Sequence, residues 1–521
     1  MKKLTAALAL LCALTLTASG AAVDFGANDD TGKYADDGGA TFFAQMRDAN
    51  LKQNVMTVRW APGSAAIADR AFLDRAVPNA VAAGITPVFA VYPYPPSAIE
   101  AGQAAPDAFA AWLRSVADAY PQVTTFIVGN EPNLNTFWRP QGNGAGQILS
   151  GASFGPFLAA GYNALKAKST SITVLGVGSS PRGEKNPAAA GKSSPVHFLK
   201  SLGDWYRASN LPTPLMDGFS FHPYPNPSDF TVPFTFAYGW PNASVQELPR
   251  IKQALWDAFD GTPQPTTLNG LRLYLDEVGW QVSTEGNGAY TGNENVRVTT
   301  EENQAAIYDQ LVRFVVCDPD VAQLNLFGYW DERDRGGWQS APRRADGSAR
   351  ASNAALAAAI AATGGSCQGA MRTWQPLTEP DGAAVTFGAL NKKAKKGKRI
   401  VMRYTPTAAE DVTVKAGFVP VGTPAARISD LLADAGRVDS KRKPPRTANG
   451  KATGTAQMFA VALFSVTNAQ RTAVFTSESG KLGPGKATTK QPKANAKPKK
   501  PAKKPKANPK PKPEPKSKRG K

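Results

Sequence analysis

The feature that most constrains the fold is a regular alternation of short apolar segments with longer segments of helical periodicity between residues 23 and 363. The apolar segments are rich in Val, Ile, Leu and Phe. They are continuous in hydrophobicity, which is typical of parallel strands covered on both faces. Eight such segments occur, at 23–27, 55–60, 86–92, 124–129, 173–177, 218–222, 271–277 and 323–330. They predict an α/β fold with eight parallel strands.

Helical patterns fill the intervals between these strands. Apolar residues recur at helical spacing over 109–120, and Thr299 with Glu302 forms a capping-box pattern ahead of another apolar stripe. The Ala-rich segment 351–363 is predicted to be the last helix. Eight strands alternating with helices favour a (β/α)₈ barrel over 23–364. A doubly wound open sheet is the alternative, but the Gly-rich phosphate loop typical of that fold does not follow the first strands.

The pattern changes after Gly364, where shorter strand-like segments are separated by Gly, Pro, Asn and basic turns. These segments lie at 383–390, 399–404, 412–418, 458–466 and 472–476. They predict a small β-sandwich over 365–478. The basic stretches 392–399 and 441–446 are interpreted as exposed loops.

The first 22 residues have the pattern of a secretory signal peptide. Lys2 and Lys3 precede an apolar run over 4–16, which is too short to span a bilayer comfortably, and small residues follow it. We therefore expect a secreted protein with no transmembrane segment after signal removal. Cys317 and Cys367 would then be the remaining cysteines, either paired or free.

Most of the net charge of +19 belongs to a tail over 479–521. From residue 481 onward there are 15 Lys, one Arg and one Glu, giving +15 and leaving about +4 for all other residues. A segment of Lys, Pro and Ala cannot bury enough apolar surface to offset its ordering entropy, so disorder is predicted. Such a tail could bind an anionic cell-wall polymer or another polyanion, or could act only as a solubilising segment.

Two predicted strands end in a glutamate. Glu131 follows the fourth strand in an Asn-Glu-Pro turn, and Glu277 ends the seventh strand. Strand ends of a barrel meet at its catalytic face, and strands four and seven lie across the mouth from each other. Two carboxylates about 5–5.5 Å apart are what retaining glycoside hydrolysis requires. We expect Asp276 to point away from the site, and Glu131 to titrate above Glu277 because two close carboxylates resist joint ionisation.

These motifs resemble the glycoside hydrolase clan A superfamily, with features of families 5, 17, 39 and 53 and no single family resolved. The resemblance covers roughly residues 23–363 and implies that Glu131 is the acid/base and Glu277 the nucleophile. It also implies substrate-binding roles for a further set of residues: Asn130, Arg59, His222, Tyr224, Trp280 and Trp330. Asn130 would bond the sugar 2-hydroxyl, and Tyr224 and Arg59 would lie beside the nucleophile.

The sequence gives little support for metal-dependent, phosphate-binding, dinucleotide-binding or serine-hydrolase chemistry. His197 and His222 are the only histidines, and no Cys/His cluster has zinc-ligand spacing. Phosphate-loop, dinucleotide and Gly-x-Ser-x-Gly patterns are missing from the sequence, so we predict no metal and no cofactor. The expected partner is a carbohydrate substrate. The alternative is a weakly active or inactive barrel that binds carbohydrate or cell-wall material.

Overall fold

A computed structural model describes residues 22–226, 237–294, 296–388, 396–453 and 456–477. The predicted signal peptide, apart from its last residue, and the basic tail lie outside these residues. Eight parallel strands form a closed barrel, in which each strand pairs with the next and β8 pairs with β1. The strands are β1 Asp24–Asn28, β2 Gln53–Trp60, β3 Thr86–Pro93, β4 Thr125–Val128, β5 Thr173–Ser179, β6 Gly218–Phe221, β7 Arg272–Val278 and β8 Val321–Phe327. The predicted (β/α)₈ barrel is confirmed.

Helices follow the strands around the outside of the barrel. Those in this part of the chain are α1 Thr31–Tyr34, α2 Ala40–Asp48, α3 Arg70–Ala82, α4 Pro96–Glu100, α5 Pro106–Ala119, α6 Ser150–Lys168, α7 Pro187–Ala190, α8 Pro195–Ser209, α9 Leu248–Phe259, α10 Glu301–Val315 and α11 Ala351–Thr363. The predicted stripe on α5 is buried, with Phe109, Leu113 and Val116 in the core. The cap of α10 differs from the prediction: Thr300, not Thr299, accepts a hydrogen bond from the Asn303 amide.

The main core lies between the barrel and its helices, and a smaller apolar layer fills the barrel interior. Alternation along each strand sends one set of side chains outward to the helices and the other set inward. The interior layer is Val55, Val88, Ala90, Ile127 and Leu175, with Tyr274 packed against it. Because this layer closes the barrel beneath the strand ends, functional side chains collect above it at the catalytic face.

The C-terminal region forms two small antiparallel sheets, as predicted for a β-sandwich. One sheet has the order β13-β10-β9 and the other β12-β11-β14-β15. The elements are β9 Ala384–Phe387, β10 Arg399–Thr407, β11 Val412–Pro420, α12 Ala425–Ile428, β12 Ala433–Val438, β13 Arg446–Lys451, β14 Gln457–Ser465 and β15 Thr472–Ser477. β12 and β13 were not predicted, and the expected loop at 441–446 ends at the first residue of β13. Part of the expected loop at 392–399 lies outside the described residues.

A buried ion cluster joins the β-sandwich to the barrel. Arg471 lies 3.0 Å from Asp257 on α9 and 2.7 Å from Glu410, and all three side chains are almost fully buried. Lys185, in the loop after β5, makes a second connection through Asp411 and Asp439, at 2.8 and 2.9 Å. The β-sandwich is therefore attached both to a barrel helix and to a loop of the catalytic face.

Cys317 and Cys367 form a disulfide that closes a loop with a sequence separation of 50. The bond links the end of α10 to the segment that follows α11, where the chain leaves the barrel. A loop of this length contributes about 4 kcal/mol on the chain-entropy model. Of the two alternatives left open by the sequence, pairing is the one observed.

Candidate active site

Glu131 stands on a turn that the backbone and a buried asparagine hold in place. Its φ of +40° lies in the left-handed region, which is uncommon for a residue other than glycine. The Glu131 amide donates to the Gly178 carbonyl at 2.7 Å. The fully buried Asn133 side chain accepts from the Ser180 amide and donates to the Ser193 carbonyl, both at 2.9 Å. These bonds fix the turn and present the Glu131 side chain at the barrel mouth.

A β-bulge turns two consecutive acidic residues of β7 toward the barrel axis. Leu275 pairs with Leu324 but Val278 pairs with Leu326, so β7 has one extra residue there. Leu275 and Val278 both pack outward in the main core. Asp276 and Glu277 therefore both face inward. The expectation that Asp276 points away was wrong, because strict alternation does not continue through a bulge.

Glu277 is held by two hydrogen bonds to its carboxylate. Asn28, at the end of β1, donates to Oε1 at 3.0 Å, and the Tyr224 hydroxyl donates to Oε2 at 3.0 Å. Burial followed by the charge of Glu277 raises the pKa of Tyr224 well above 10, so this hydroxyl keeps its proton. The two donors orient the carboxylate from opposite oxygens.

His222 connects three carboxylates. Its Nδ1 lies 3.2 Å from Oε1 of Glu131 and 3.2 Å from Oε2 of Glu277. Its Nε2 lies 3.4 Å from Oδ2 of Asp276. The backbone amide of His222 donates to the Ser179 carbonyl at 2.9 Å, which fixes the chain at this point. The imidazole thus separates the two candidate catalytic groups and contacts both.

The surroundings shift the ionisation of this cluster. Burial raises the pKa of Glu277 to about 8, with Glu131 and Asp276 adding to the rise and His222 opposing it. Burial also opposes a charge on His222, but Glu277, Asp276 and Glu131 outweigh burial and hold its pKa well above 6.5. The expectation that Glu131 titrates above Glu277 stays a prediction.

Aromatic rings flank the carboxylates. The Tyr224 ring lies 5.0 Å from the Trp338 ring, and Phe327 packs edge-on against Trp338 at 5.2 Å. Arg59 donates a hydrogen bond from Nε to the Tyr92 hydroxyl at 3.1 Å. Its guanidinium carbon also lies over the Tyr94 ring, 4.7 Å from the ring centroid. Partly exposed aromatic faces of this kind provide contact area for the apolar faces of sugar rings.

Some predicted site residues come together here and others do not. Glu131, Glu277, His222 and Tyr224 form the contacts given above, and the Tyr224–Glu277 contact is the one that the resemblance implied. Asn130 is partly exposed next to Glu131, and within the described ranges its side chain has no hydrogen-bond partner. Arg59 contacts Tyr92 and Tyr94, and among the described residues it makes no hydrogen bond or ion pair with Glu277.

Two predicted tryptophans are corrected. Trp280 is 2% exposed and packs in the main core, with its ring 6.2 Å from that of Tyr308 on α10. Trp330 turns to α2, where Nε1 donates to Gln45 at 3.0 Å and the ring lies 6.3 Å from Phe42. Among the described residues, neither tryptophan side chain makes a hydrogen bond with Glu131 or Glu277. Trp338, eight residues after the end of the predicted eighth strand, lies beside Tyr224.

Sequence reasoning missed Asn28 as a site residue, although Asn28 directly follows the first predicted strand, 23–27, and is the last residue of β1. The rule that strand ends face the site would have found it if applied to amides as well as carboxylates. Glu131, His222 and Glu277 also have ligand atoms that all lie within 4.8 Å of one another. One imidazole nitrogen and two carboxylates can bind a divalent metal, so the geometry admits an ion that the sequence did not predict.

No protein-family model matches the chain, and no curated protein matches it in sequence. Similar solved structures include GH5_18 from Streptomyces cattleya in complex with GlcNAc, at 13% identity and TM-score 0.46, covering 70% of this chain and 84% of that one. A glucosidase from Croceicoccus marinus has 13% identity and TM-score 0.41, with 84% and 88% covered. A calcium-binding mutant of Bacteroides uniformis beta-glucuronidase 2 has 10% identity and TM-score 0.39, covering 87% of this chain. This chain spans only 44% of the length of that glucuronidase.

Proposed function

We propose that the protein is a glycoside hydrolase that cleaves β-glycosidic bonds of an oligosaccharide or polysaccharide with retention of configuration. The observation that carries the proposal is the separation of the two carboxylates. An oxygen of Glu131 and one of Glu277 lie within 4.8 Å of each other, in a cluster at the barrel mouth. Retaining enzymes need carboxyl groups about 5–5.5 Å apart, whereas inverting enzymes need about 6.5–9.5 Å to fit a water molecule.

Glu277 must be ionised to act as the nucleophile; burial opposes that charge, and the neighbouring His222 favours it. In the first step Glu277 attacks the anomeric carbon, the glycosidic C–O bond breaks, and Glu131 gives its proton to the leaving oxygen. In the second step Glu131 takes a proton from water, whose oxygen displaces Glu277 and frees the sugar. Asn28 and Tyr224 hold Glu277 in one orientation for attack. Asn130, next to Glu131 and without a hydrogen-bond partner among the described residues, is placed to bind a sugar hydroxyl.

The test is hydrolysis of a panel of aryl β-glycosides, in which NMR identifies the anomer of the sugar that is released first. Hydrolysis that releases the β-anomer first supports the proposal. Release of the α-anomer would contradict retention, and no turnover by any substrate would favour the alternative, an inactive carbohydrate-binding barrel. The double variant Glu131→Gln with Glu277→Gln is the control for contaminating activity. Full activity after dialysis against a chelator is expected, because the proposed chemistry needs only the two carboxyl groups.

We also propose that the protein is exported. The signal-peptide pattern over 1–22 predicts secretion, and a disulfide between Cys317 and Cys367 suits an oxidising compartment. None of the helices in the described ranges has the length and hydrophobicity needed to cross a membrane. Detection of the processed chain outside producing cells, with a new N-terminus near residue 23, tests this proposal. Retention of the intact chain inside the cell contradicts it.

The basic tail is proposed to bind anionic cell-wall polymer or another polyanion. Its support is a charge of +15 over 481–521, spaced by Pro and Ala. Charge of this density gives sequence-independent attraction that weakens as salt screens it. A chain ending near Ser479 should keep the full rate on a small glycoside but lose binding to cell-wall material at low salt. If the full-length and shortened proteins bind equally, or if binding does not depend on salt, the tail does not bind a polyanion and acts only as a solubilising segment.

A further inference from the structure

The loop after β5, residues 180–194, contacts the turn that carries Glu131 at both ends of the loop. At its start, the Ser180 amide donates to the Asn133 side chain at 2.9 Å. At its end, the Ser193 amide donates to the Asn133 carbonyl at 2.8 Å, and the Asn133 side chain donates to the Ser193 carbonyl at 2.9 Å. The position of the Glu131 turn therefore depends on the position of this loop.

The middle of the loop is bonded to its end. The Glu184 amide donates to the Lys192 carbonyl at 3.0 Å, and the Glu184 carbonyl accepts from the Ser194 amide at 3.3 Å. Lys185 is the next residue in the chain. Because of these bonds, a displacement of Lys185 also displaces the end of the loop that contacts Asn133.

The Lys185 side chain forms ion pairs with two carboxylates of the β-sandwich, Asp411 at 2.8 Å and Asp439 at 2.9 Å. Backbone amides orient both acceptors: the Ser440 amide donates to Asp411 and the Lys441 amide donates to Asp439, each at 2.8 Å. The hydrogen bond from Lys185 lowers the pKa of Asp439, so this carboxylate is charged at neutral pH. Two fixed carboxylates that share one cation repel each other without it, so the sandwich presents an acceptor site suited to a lysine.

The sandwich has a second and more deeply buried connection to the barrel. The cluster of Arg471, Asp257 and Glu410 joins it to α9, where the Thr467 hydroxyl also donates to Asp257 at 2.7 Å. The ion pairs of Lys185 are partly exposed, and pairs of that kind add little to global stability. We therefore expect them to restrain the loop after β5, and we expect the buried cluster to keep the sandwich attached when they are removed.

We propose that the β-sandwich helps to position the acid/base, and that Lys185 is the positioning residue through which it does so. Held by Asp411 and Asp439, Lys185 fixes the loop after β5, and the loop fixes the turn that carries Glu131. A displacement of about 1 Å at a catalytic group can cost about 10²-fold in rate, so a restraint on this turn affects proton transfer. The inference rests on the proposed function for the role of Glu131, whereas the restraint itself can be measured without any substrate.

The kinetic test compares aryl glycosides with good and poor leaving groups. Lys185→Met removes the cation and keeps an apolar stem, and Asp439→Asn removes the charge of one acceptor. Each should lower kcat/KM by about three- to tenfold for poor leaving groups, which need the proton of Glu131, and far less for good ones. Because both variants weaken the same ion-pair group, the loss in the double variant should be smaller than the product of the two single losses.

Thr467→Val is the matched control, because it removes a hydrogen bond between the sandwich and α9 and leaves Lys185 in place. It should not change the rate with either class of leaving group. Hydrogen exchange gives the readout without substrate. In Lys185→Met and Asp439→Asn, backbone amides within 131–135 and 180–194 should exchange faster than in the unsubstituted protein, and in Thr467→Val they should not.

The outcomes separate this inference from the proposed function. If the unsubstituted protein hydrolyses no glycoside, the proposed function fails, while hydrogen exchange still decides whether the sandwich holds the Glu131 turn. Unchanged exchange in Lys185→Met and Asp439→Asn overturns the inference. So does a rate with poor leaving groups that falls no more than the rate with good ones, because the ion pairs would then not act through Glu131. Thermal unfolding of each variant confirms that folded proteins are compared.

Discussion

Glu131 and Glu277 occupy equivalent places at the ends of two barrel strands, yet their surroundings differ. Glu277 is buried and receives hydrogen bonds from Asn28 and Tyr224 in addition to its contact with His222. The Glu131 side chain is 15% exposed, and among the described residues the one hydrogen-bonding or ion-pair partner of its carboxylate is His222. The backbone turn, where φ is +40° and the Glu131 amide donates to the Gly178 carbonyl, holds Glu131 in place together with the single contact from His222 to its carboxylate.

This difference fits the demands of two chemical roles. A nucleophile must meet one carbon atom along one line, so two fixed donors on its carboxylate reduce the reorganisation needed for attack. An acid/base must address a leaving oxygen in one step and a water molecule in the next. A partly exposed carboxyl group on a fixed turn can do both. The predictions below test whether the two residues differ in this way.

The largest expected effect is that of Glu277→Ala, which should lower kcat by about 10⁴-fold or more because the covalent step is lost. Azide or formate should partly restore turnover and yield a glycosyl product of inverted configuration, since one displacement remains. Glu131→Ala with azide is the matched comparison. There the nucleophile survives, and the azide product should have retained configuration. The same stereochemistry from both variants would remove the distinction between the two roles.

The next effect is that of Glu131→Gln, whose size should depend on the leaving group. Substrates with poor leaving groups should lose about 10²–10⁴-fold in rate, because protonation of the leaving oxygen is lost. Substrates with good leaving groups should lose far less in the first step. The measurement is kcat/KM across aryl glycosides of graded leaving-group pKa. A uniform loss across the series would mean that another residue supplies the proton.

A smaller effect is expected when one hydrogen bond to Glu277 is removed. Asn28→Ala should lower kcat/KM by about ten- to hundredfold, the range for a hydrogen bond to a charged group. Arg59→Ala is the matched comparison, because Arg59 bonds Tyr92 and the resemblance had placed it beside the nucleophile. If Arg59→Ala lowers kcat more than Asn28→Ala does, the assignment of Asn28 as the partner of Glu277 is wrong.

The barrel and both carboxylates were accessible from sequence because each depends on local pattern. Continuous apolar segments identify buried parallel strands, and the polar residue that ends each segment falls at the catalytic face. β12 and β13 were missed for the same reason. Their sequences, Ala-Asp-Ala-Gly-Arg-Val and Arg-Thr-Ala-Asn-Gly-Lys, contain one apolar residue larger than Ala, and their strand structure shows in their pairing with β11 and β10.

The errors within the site arise from geometry that one strand cannot reveal. The inward turn of Asp276 depends on a bulge, which exists only in the pairing of β7 with β8. The positions of Trp280 and Trp338 depend on the paths of the loops after β7 and β8. Trp280 follows Glu277 closely in sequence but enters the core beneath α10, whereas Trp338 returns to contact Tyr224. Sequence distance from Glu277 was therefore a poor guide to contact with it.

The smallest expected effect concerns stability and pH. Burial raises the pKa of Glu277 to about 8 in the folded protein, from about 4.5 in the unfolded chain. A carboxyl group with a raised folded-state pKa favours folding in its protonated form. Its favourable contribution is therefore complete below about pH 4.5 and is lost as the pH rises through about 8. Glu277→Gln, which is neutral at every pH, should gain in Tm relative to the unsubstituted protein at pH 9 but not at pH 4.5.

Glu302 provides a control of opposite sign for this last prediction. It lies exposed in the first turn of α10, where its own backbone amide and Thr300 lower its pKa. A lowered folded-state pKa gives a contribution that is present above about pH 4.5 and is lost as the pH falls. Glu302→Gln should therefore lose a little Tm at pH 9, while Glu277→Gln gains. If both variants shift in the same direction with pH, burial of Glu277 does not carry the free-energy cost inferred for it. The contrast between the buried Glu277 and the partly exposed Glu131 then has no energetic basis.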